Sequence, residues 1–244
     1  METTMLEIEH LLFSYNRGKT ILSDLTIKAG EQETIGLIGA NGVGKSTLLK
    51  LLVGLLDGYE GRISINHQEL NKKNLADIRK QAGYVFQDSE SQLFLSTVYE
   101  DVAFGPENYG YSPAETEKKV MEALKKVHME ELKDRPVYGL SGGEKKLAAI
   151  ATILSMSPSI ILLDEPTVAL DPQNRRNLIR ILNEMQSLKI IASHDLDMVW
   201  DTCERTILLA DGRVIKDGAT EEILRDKVLL EENGLELPLS LTRR

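Results

Sequence analysis

A chain of 244 residues, 42% apolar and 27% charged, has the make-up of a folded globular protein, sized for one large α/β unit or two small ones. Its formal net charge of −9 argues against sequence-independent nucleic-acid binding, which needs clustered cations, so no nucleic-acid partner is expected. No apolar run approaches the ~20 residues that span a bilayer, and the lone Cys203 excludes an internal disulfide.

In chain order, Met1–His10 is acidic and shows none of the apolar core of a secretory leader. Met5–Phe13 and Thr20–Lys28 read as two strands joined by a turn at Asn16-Arg17-Gly18. The apolar run Thr34–Ile38 then leads into Gly39-Ala40-Asn41-Gly42-Val43-Gly44-Lys45-Ser46-Thr47, which fits G-x-x-x-x-G-K-S. Leu48, Leu49, Leu51 and Leu52 follow at helical spacing, and this helix is expected to end near Gly54. Strand, glycine loop and helix start together form a concavity of inward-pointing N–H groups for phosphates. Lys45 would reach the β- and γ-phosphates of a nucleoside triphosphate, and the Ser46 hydroxyl would ligate Mg²⁺.

Gly61–Asn66 alternates like a further strand, after which the chain from about Gln87 to Ser155 is mainly helical. Ser112-Pro113-Ala114-Glu115 is a helix start with an N-cap Ser, Pro at the first position and Glu at the third. Val120, Leu124 and Val127 continue that helix at its apolar period. Strand character returns with Ile160–Leu163, Lys189–Ser193 and Arg205–Leu209. Strands alternating with helices predict an α/β nucleotide-binding core, residues 1–86 and 156–244, around a mostly parallel sheet. A helical subdomain, residues 87–155, is inserted into it. The lysine pairs at 72–73, 118–119, 125–126 and 145–146 read as solvated helix faces, His10, His67 and His128 as surface residues, and Cys203 as a small buried one.

Asp164 and Glu165 close the wholly apolar run Ile160–Leu163, and ligands gather at the carboxyl ends of such buried strands. Asp164 is placed to hold Mg²⁺, directly or through water, and Glu165 to act as general base on a water attacking the γ-phosphate. The strand Ile190–Ser193 delivers His194 to the same sheet edge. Leu140-Ser141-Gly142-Gly143-Glu144 opens a second anion-binding helix, with Ser141 and Glu144 at capping-box spacing. A monomer has no evident use for it; facing the phosphate loop of another copy, it would sandwich two ATP molecules at a symmetric interface.

These motifs, in this order, resemble the nucleotide-binding subunit of ATP-binding cassette (ABC) transporters over essentially the whole chain. The resemblance implies a P-loop NTPase fold of ABC type with N-terminal antiparallel strands, and an ATPase of a cytoplasmic, peripheral membrane subunit. It further implies that Tyr15 stacks on adenine, that Gln87 senses Mg²⁺ and the attacking water, and that His194 contacts the γ-phosphate. Ser141, Gly142, Gly143 and Glu144 would contact the partner subunit's ATP, and Asp171 would lie in the loop crossing the dimer. Two positions depart from the commonest pattern: Glu144 stands where Gln is usual, and Val168-Ala169 where small residues such as Ser and Gly are usual. Neither removes a phosphate-contacting glycine or an acid, so activity is expected to survive.

Gln87–Phe94 and Thr97–Pro106 look like the energy-coupling factor subfamily, especially its cobalt/nickel-type ATPase. Integral membrane subunits and either a second copy or a related ATPase are then the implied partners, with a metal ion or vitamin as cargo. Leu93, Phe94 and Leu95 are either an exposed apolar contact for the membrane partner or local packing. The subfamily's C-terminal extension is longer than the segment beyond Glu221 here, which leaves a dimer-locking role for that segment in doubt. The competing class is a soluble ABC ATPase of DNA maintenance or translation. Such proteins carry coiled coils, zinc modules or two cassettes, which this chain lacks. A non-catalytic nucleotide-binding regulator is disfavoured by the presence of Glu165 and His194.

Overall fold

The computed structural model describes residues 4–15 and 18–242; the expected turn at Asn16-Arg17 lies outside them. The strands are β1 (Thr4–Ser14), β2 (Thr20–Gly30), β3 (Thr34–Ile38), β4 (Glu60–Ile65), β5 (Gln68–Glu69), β6 (Ala82–Val85), β7 (Ile160–Asp164), β8 (Leu188–Ala192), β9 (Arg205–Ala210) and β10 (Arg213–Ala219). The helices are α1 (Lys45–Leu52), α2 (Leu75–Gln81), α3 (Val98–Asn108), α4 (Pro113–Lys126), α5 (Gly142–Leu154), α6 (Pro172–Glu184), α7 (Leu196–Thr202), α8 (Thr220–Arg225), α9 (Lys227–Glu232) and α10 (Leu239–Thr242). Two compact units result: one holds the chain up to Tyr84 with Ser159–Glu165 and everything from Gln186 on, the other Val85–Pro158 with Pro166–Met185.

The first unit is built on two sheets. An antiparallel sheet runs β2-β1-β4-β5, and a six-stranded sheet runs β10-β9-β3-β8-β7-β6. Within the larger sheet β3 is parallel to both β8 and β9, and β7 is parallel to β8. Every residue of β3, β7 and β8 is buried, which is why apolar residues dominate these segments on both faces rather than alternating with polar ones. β10 pairs antiparallel with β9 through a two-residue turn at Asp211-Gly212, both in the left-handed region (φ 47 and 72). The C-terminal segment docks on α7: the Asp197 carboxylate accepts the N–H groups of Leu239 and Ser240 at 3.0 and 2.9 Å.

The second unit packs α3, α4 and α5 against one another. All three begin with a complete capping box, Thr97/Glu100, Ser112/Glu115 and Ser141/Glu144, so their first N–H groups are satisfied locally. Val98, Val102, Val120, Leu124, Ala148 and Ile150 are fully buried between them. α6 belongs to this unit, and a Cβ on Gly143 would lie 2.4 Å from Asn174 Nδ2, so the glycine sets how closely α5 and α6 approach. Between the single 3-10 turn at Ser89–Ser91 and α3, the apolar triplet divides: Leu93 is buried at 6% exposure while Phe94 is 63% exposed. An exposed role for Leu93 is thereby corrected, because its side chain is spent on the helical core. Phe94 instead stacks edge-on to the half-exposed Phe104, ring centres 4.9 Å apart.

Candidate active site

The phosphate-type loop leaves β3 at Gly39, whose φ of 146 and whose approach to the Leu209 carbonyl (2.2 Å from a notional Cβ) admit no side chain. Gly44 is the N-cap of α1 and carries no capping side chain, so the loop's amides are left for an incoming anion. Lys45 is buried, and its ammonium donates to the carbonyls of Gly39 at 2.6 Å and Ala40 at 3.2 Å. Burial pushes the Lys45 pKa down, while the charges of Glu165 and Asp164 oppose that shift. Asn41 and Gly42 are exposed at the loop's crest. Thr47 is buried and lies 3.2 Å from the Tyr15 hydroxyl; Tyr15 itself is 46% exposed and stands edge-on to Phe13.

Sheet register gathers the acids beside this loop. Leu37, Ala192 and Asp164 form one row across β3, β8 and β7, so the next residue on each strand emerges at the same carboxyl edge. Asp164 is 3% exposed and accepts the Ser46 hydroxyl on Oδ1 and the Tyr84 hydroxyl on Oδ2, each at 2.8 Å. Glu165 points elsewhere because its backbone is left-handed (φ 46), an arrangement uncommon outside glycine and pinned here by its N–H donating to Ala192 O at 2.8 Å. Its Oε2 lies 2.7 Å from His194 Nδ1, and accepts the His194 N–H at 3.2 Å and the Ser193 hydroxyl at 3.4 Å. Those contacts all fall on Oε2, which leaves Oε1 to take a proton.

Ser46 and Asp164 fit Mg²⁺. Both offer hard oxygen donors, and two protein oxygens suffice for an ion that otherwise keeps phosphate oxygens and water. Among the described residues no group of three or more His, Cys, Asp or Glu is placed to hold a metal ion.

The remaining expected residues lie in the second unit. The Gln87 carbonyl accepts the Lys146 ammonium at 2.7 Å, with the Phe86 carbonyl at 3.1 Å, so the buried Lys146 ties this loop to α5. A cavity of about 380 Å³ is lined by Gln87, Asp88, Glu90, Gly142, Lys145 and Ala169. Ser141 caps α5 while Glu144 returns to the Ser141 N–H at 2.7 Å and meets Arg135 at 3.3 Å. The backbone and hydroxyl of Ser141, with Arg135 beside it, hold the Glu144 carboxyl below the usual carboxylate range. Asp171 caps α6 through the N–H groups of Gln173 and Asn174. Below Phe94, the buried Asp101 accepts the N–H groups of Phe94 and Leu95 at 3.1 and 3.2 Å and so fixes the exposed ring's loop. Sequence reasoning missed Tyr84 and Asp101. An aromatic beside an apolar strand signals only core, whereas Thr97-x-x-Glu100 marked where α3 begins and hence which face Asp101 takes.

A profile described as ABC transporter matches residues 22–168. An ABC transporter ATP-binding protein of Geobacter sulfurreducens is 46% identical over 241 residues, 99% of this chain and 97% of its own length. The energy-coupling factor transporter ATP-binding protein EcfA of Carboxydothermus hydrogenoformans is 42% identical, covering 96% of this chain and 87% of its own. Among solved structures, cbiO1 from Clostridium perfringens, part of the ABC transporter complex cbiONQ, superposes with TM-score 0.86 at 37% identity over 95% of this chain and 94% of that one. A dimeric bacterial ABC transporter cassette does so with TM-score 0.79 at 29% identity, over 88% and 99% respectively.

Proposed function

The chain belongs to the ABC transporter family as an ATPase that energises transport, and on that premise we propose that it drives an energy-coupling-factor-type uptake system for a metal ion or vitamin. The observation that carries the site reading is the row Leu37–Ala192–Asp164, which sets the phosphate loop, Asp164-Glu165 and His194 on one sheet edge. Lys45 and the loop amides bind the β- and γ-phosphates, and Tyr15 stacks on adenine. Ser46 and Asp164 would hold Mg²⁺, which would neutralise charge on the phosphate oxygens. Glu165 takes a proton through Oε1 from the water that attacks the γ-phosphorus, as the bond to the β-phosphate oxygen breaks. His194 orients Glu165 through Oε2 and would contact the γ-phosphate, and Gln87 would sense Mg²⁺ and the attacking water.

Hydrolysis needs a second ATPase, either another copy or a related chain. Ser141–Glu144 of one subunit contact the ATP of the other, and Asp171 lies in the loop at that interface. The subunit sits at the cytoplasmic face of the membrane; among the described residues no helix is long and apolar enough to cross one. The EcfA relatives and the cbiO1 likeness support the uptake assignment, and the exposed Phe94 supports a docked membrane partner.

Glu165→Gln tests the reading. It keeps shape and hydrogen bonding but cannot accept a proton, so hydrolysis should fall roughly 10²- to 10⁴-fold while ATP still binds. With ATP and Mg²⁺ the variant should run as a dimer by size-exclusion chromatography with light scattering, alone or with a related ATPase supplied. Undiminished phosphate release by Glu165→Gln would remove Glu165 from the role of base.

A further inference from the structure

We propose that Tyr84 is a positioning residue for magnesium–nucleotide binding: its hydroxyl fixes the Asp164 carboxylate in the orientation that keeps Oδ1 on Ser46. The proposal rests on the ATPase reading above and adds a residue that none of the phosphate-binding motifs contains. Three separated parts of the chain meet in one line, β6 through Tyr84, β7 through Asp164 and α1 through Ser46, with 2.8 Å at each step.

The chemistry of a hydroxyl ligand explains why the line matters. A serine that gives an oxygen lone pair to a cation must place its proton on some other acceptor. Asp164 Oδ1 is that acceptor, and it faces Ser46 only while the carboxylate plane is held. A carboxylate gripped at one oxygen can still rotate about its terminal bond, because such sp³–sp² torsions are broad. The Tyr84 donor on Oδ2 removes that freedom. Water is a poor substitute, since Tyr84 and Asp164 are 6% and 3% exposed. A phenylalanine would fill the same apolar space and leave Oδ2 without this partner.

The test uses the full chain with a fluorescent, non-hydrolysable ATP analogue, titrated with Mg²⁺ at fixed nucleotide and, separately, in EDTA. Tyr84→Phe should raise the free-Mg²⁺ midpoint roughly tenfold, the value of one hydrogen bond to a charged group, while metal-free nucleotide affinity stays within about twofold. Asp164→Asn should raise the midpoint as well, and in that background the further change Tyr84→Phe should have no effect. This cycle reports the pair even if Tyr84→Phe lowers the melting temperature, which is recorded alongside. An unchanged midpoint in Tyr84→Phe overturns the proposal, as does an equal loss of affinity with and without metal, which would make Tyr84 mere packing. If Mg²⁺ does not tighten nucleotide binding in the parent protein, the magnesium–ATP reading of the site falls too, so the two failures are told apart.

Discussion

Lys45 is a cation kept in a poor place for one, buried against two loop carbonyls with the charges of Glu165 and Asp164 sustaining its proton. On the proposed reading of the site, removing the ammonium with Lys45→Ala would delete charge-assisted contacts to phosphate. Nucleotide affinity should fall roughly 10- to 100-fold, and phosphate release should drop to background in a coupled assay. Full turnover by that variant would displace Lys45 from the site. At this scale the sequence was informative wherever a residue's partners are near it in the chain. The glycine loop and the Asp164-Glu165 pair at the end of an apolar run are both local patterns. The Tyr84–Asp164 hydrogen bond spans 80 positions and depends on β6 lying beside β7, so nothing near Tyr84 announces it. Cys203 behaves as its surroundings in the sequence suggested: it is buried, and desolvation pushes its thiol up to about 12.

Among elements, the buried parallel strands were legible because both faces are covered and apolar residues dominate them, and β3 matches its expected span residue for residue. β10 was not, since Arg213–Ala219 carries mixed polarity on a sheet edge; its one cue was the Asp211-Gly212 turn. The triplet at 93–95 shows the limit of composition, because three adjacent apolar residues took three different exposures. Phe94, the most exposed of them, gives the element-scale prediction. Phe94→Asp loses the edge-on contact with Phe104, worth about 1 kcal/mol, so the isolated chain should melt only a few degrees lower and keep its basal ATPase. Against an apolar partner surface the new carboxylate would be buried unpaired at a cost of several kcal/mol, so co-purification with the membrane subunits and solute uptake should be lost. Retained assembly and uptake in Phe94→Asp would end the coupling role of this loop, and an unfolded variant would assign the ring to the core.

For the molecule as a whole, order along the chain and order in the sheet are different things. Strands far apart in sequence, β3, β8 and β7, are neighbours in space, and the registers between them turn three scattered motifs into one edge. The grouping of Pro166–Met185 with the helical unit also follows from a contact between distant positions, Gly143 against Asn174, that no local pattern signals. One backbone angle at that edge bears on the protein as a material. Glu165 sits at φ 46, a conformation that costs a non-glycine residue about 1–3 kcal/mol, and its neighbours must hold it there. Glu165→Gly gives up hydrogen bonds worth about 1 kcal/mol each but relieves that strain, so it should melt within a few degrees of the parent while hydrolysing no ATP. By calorimetry, Leu163→Gly two positions back should be far less stable, for it empties a fully buried site with no strain to relieve. The heat resistance of this edge is therefore set by the strand residues that hold position 165 and hardly by the side chain standing there, so the two properties can be varied separately.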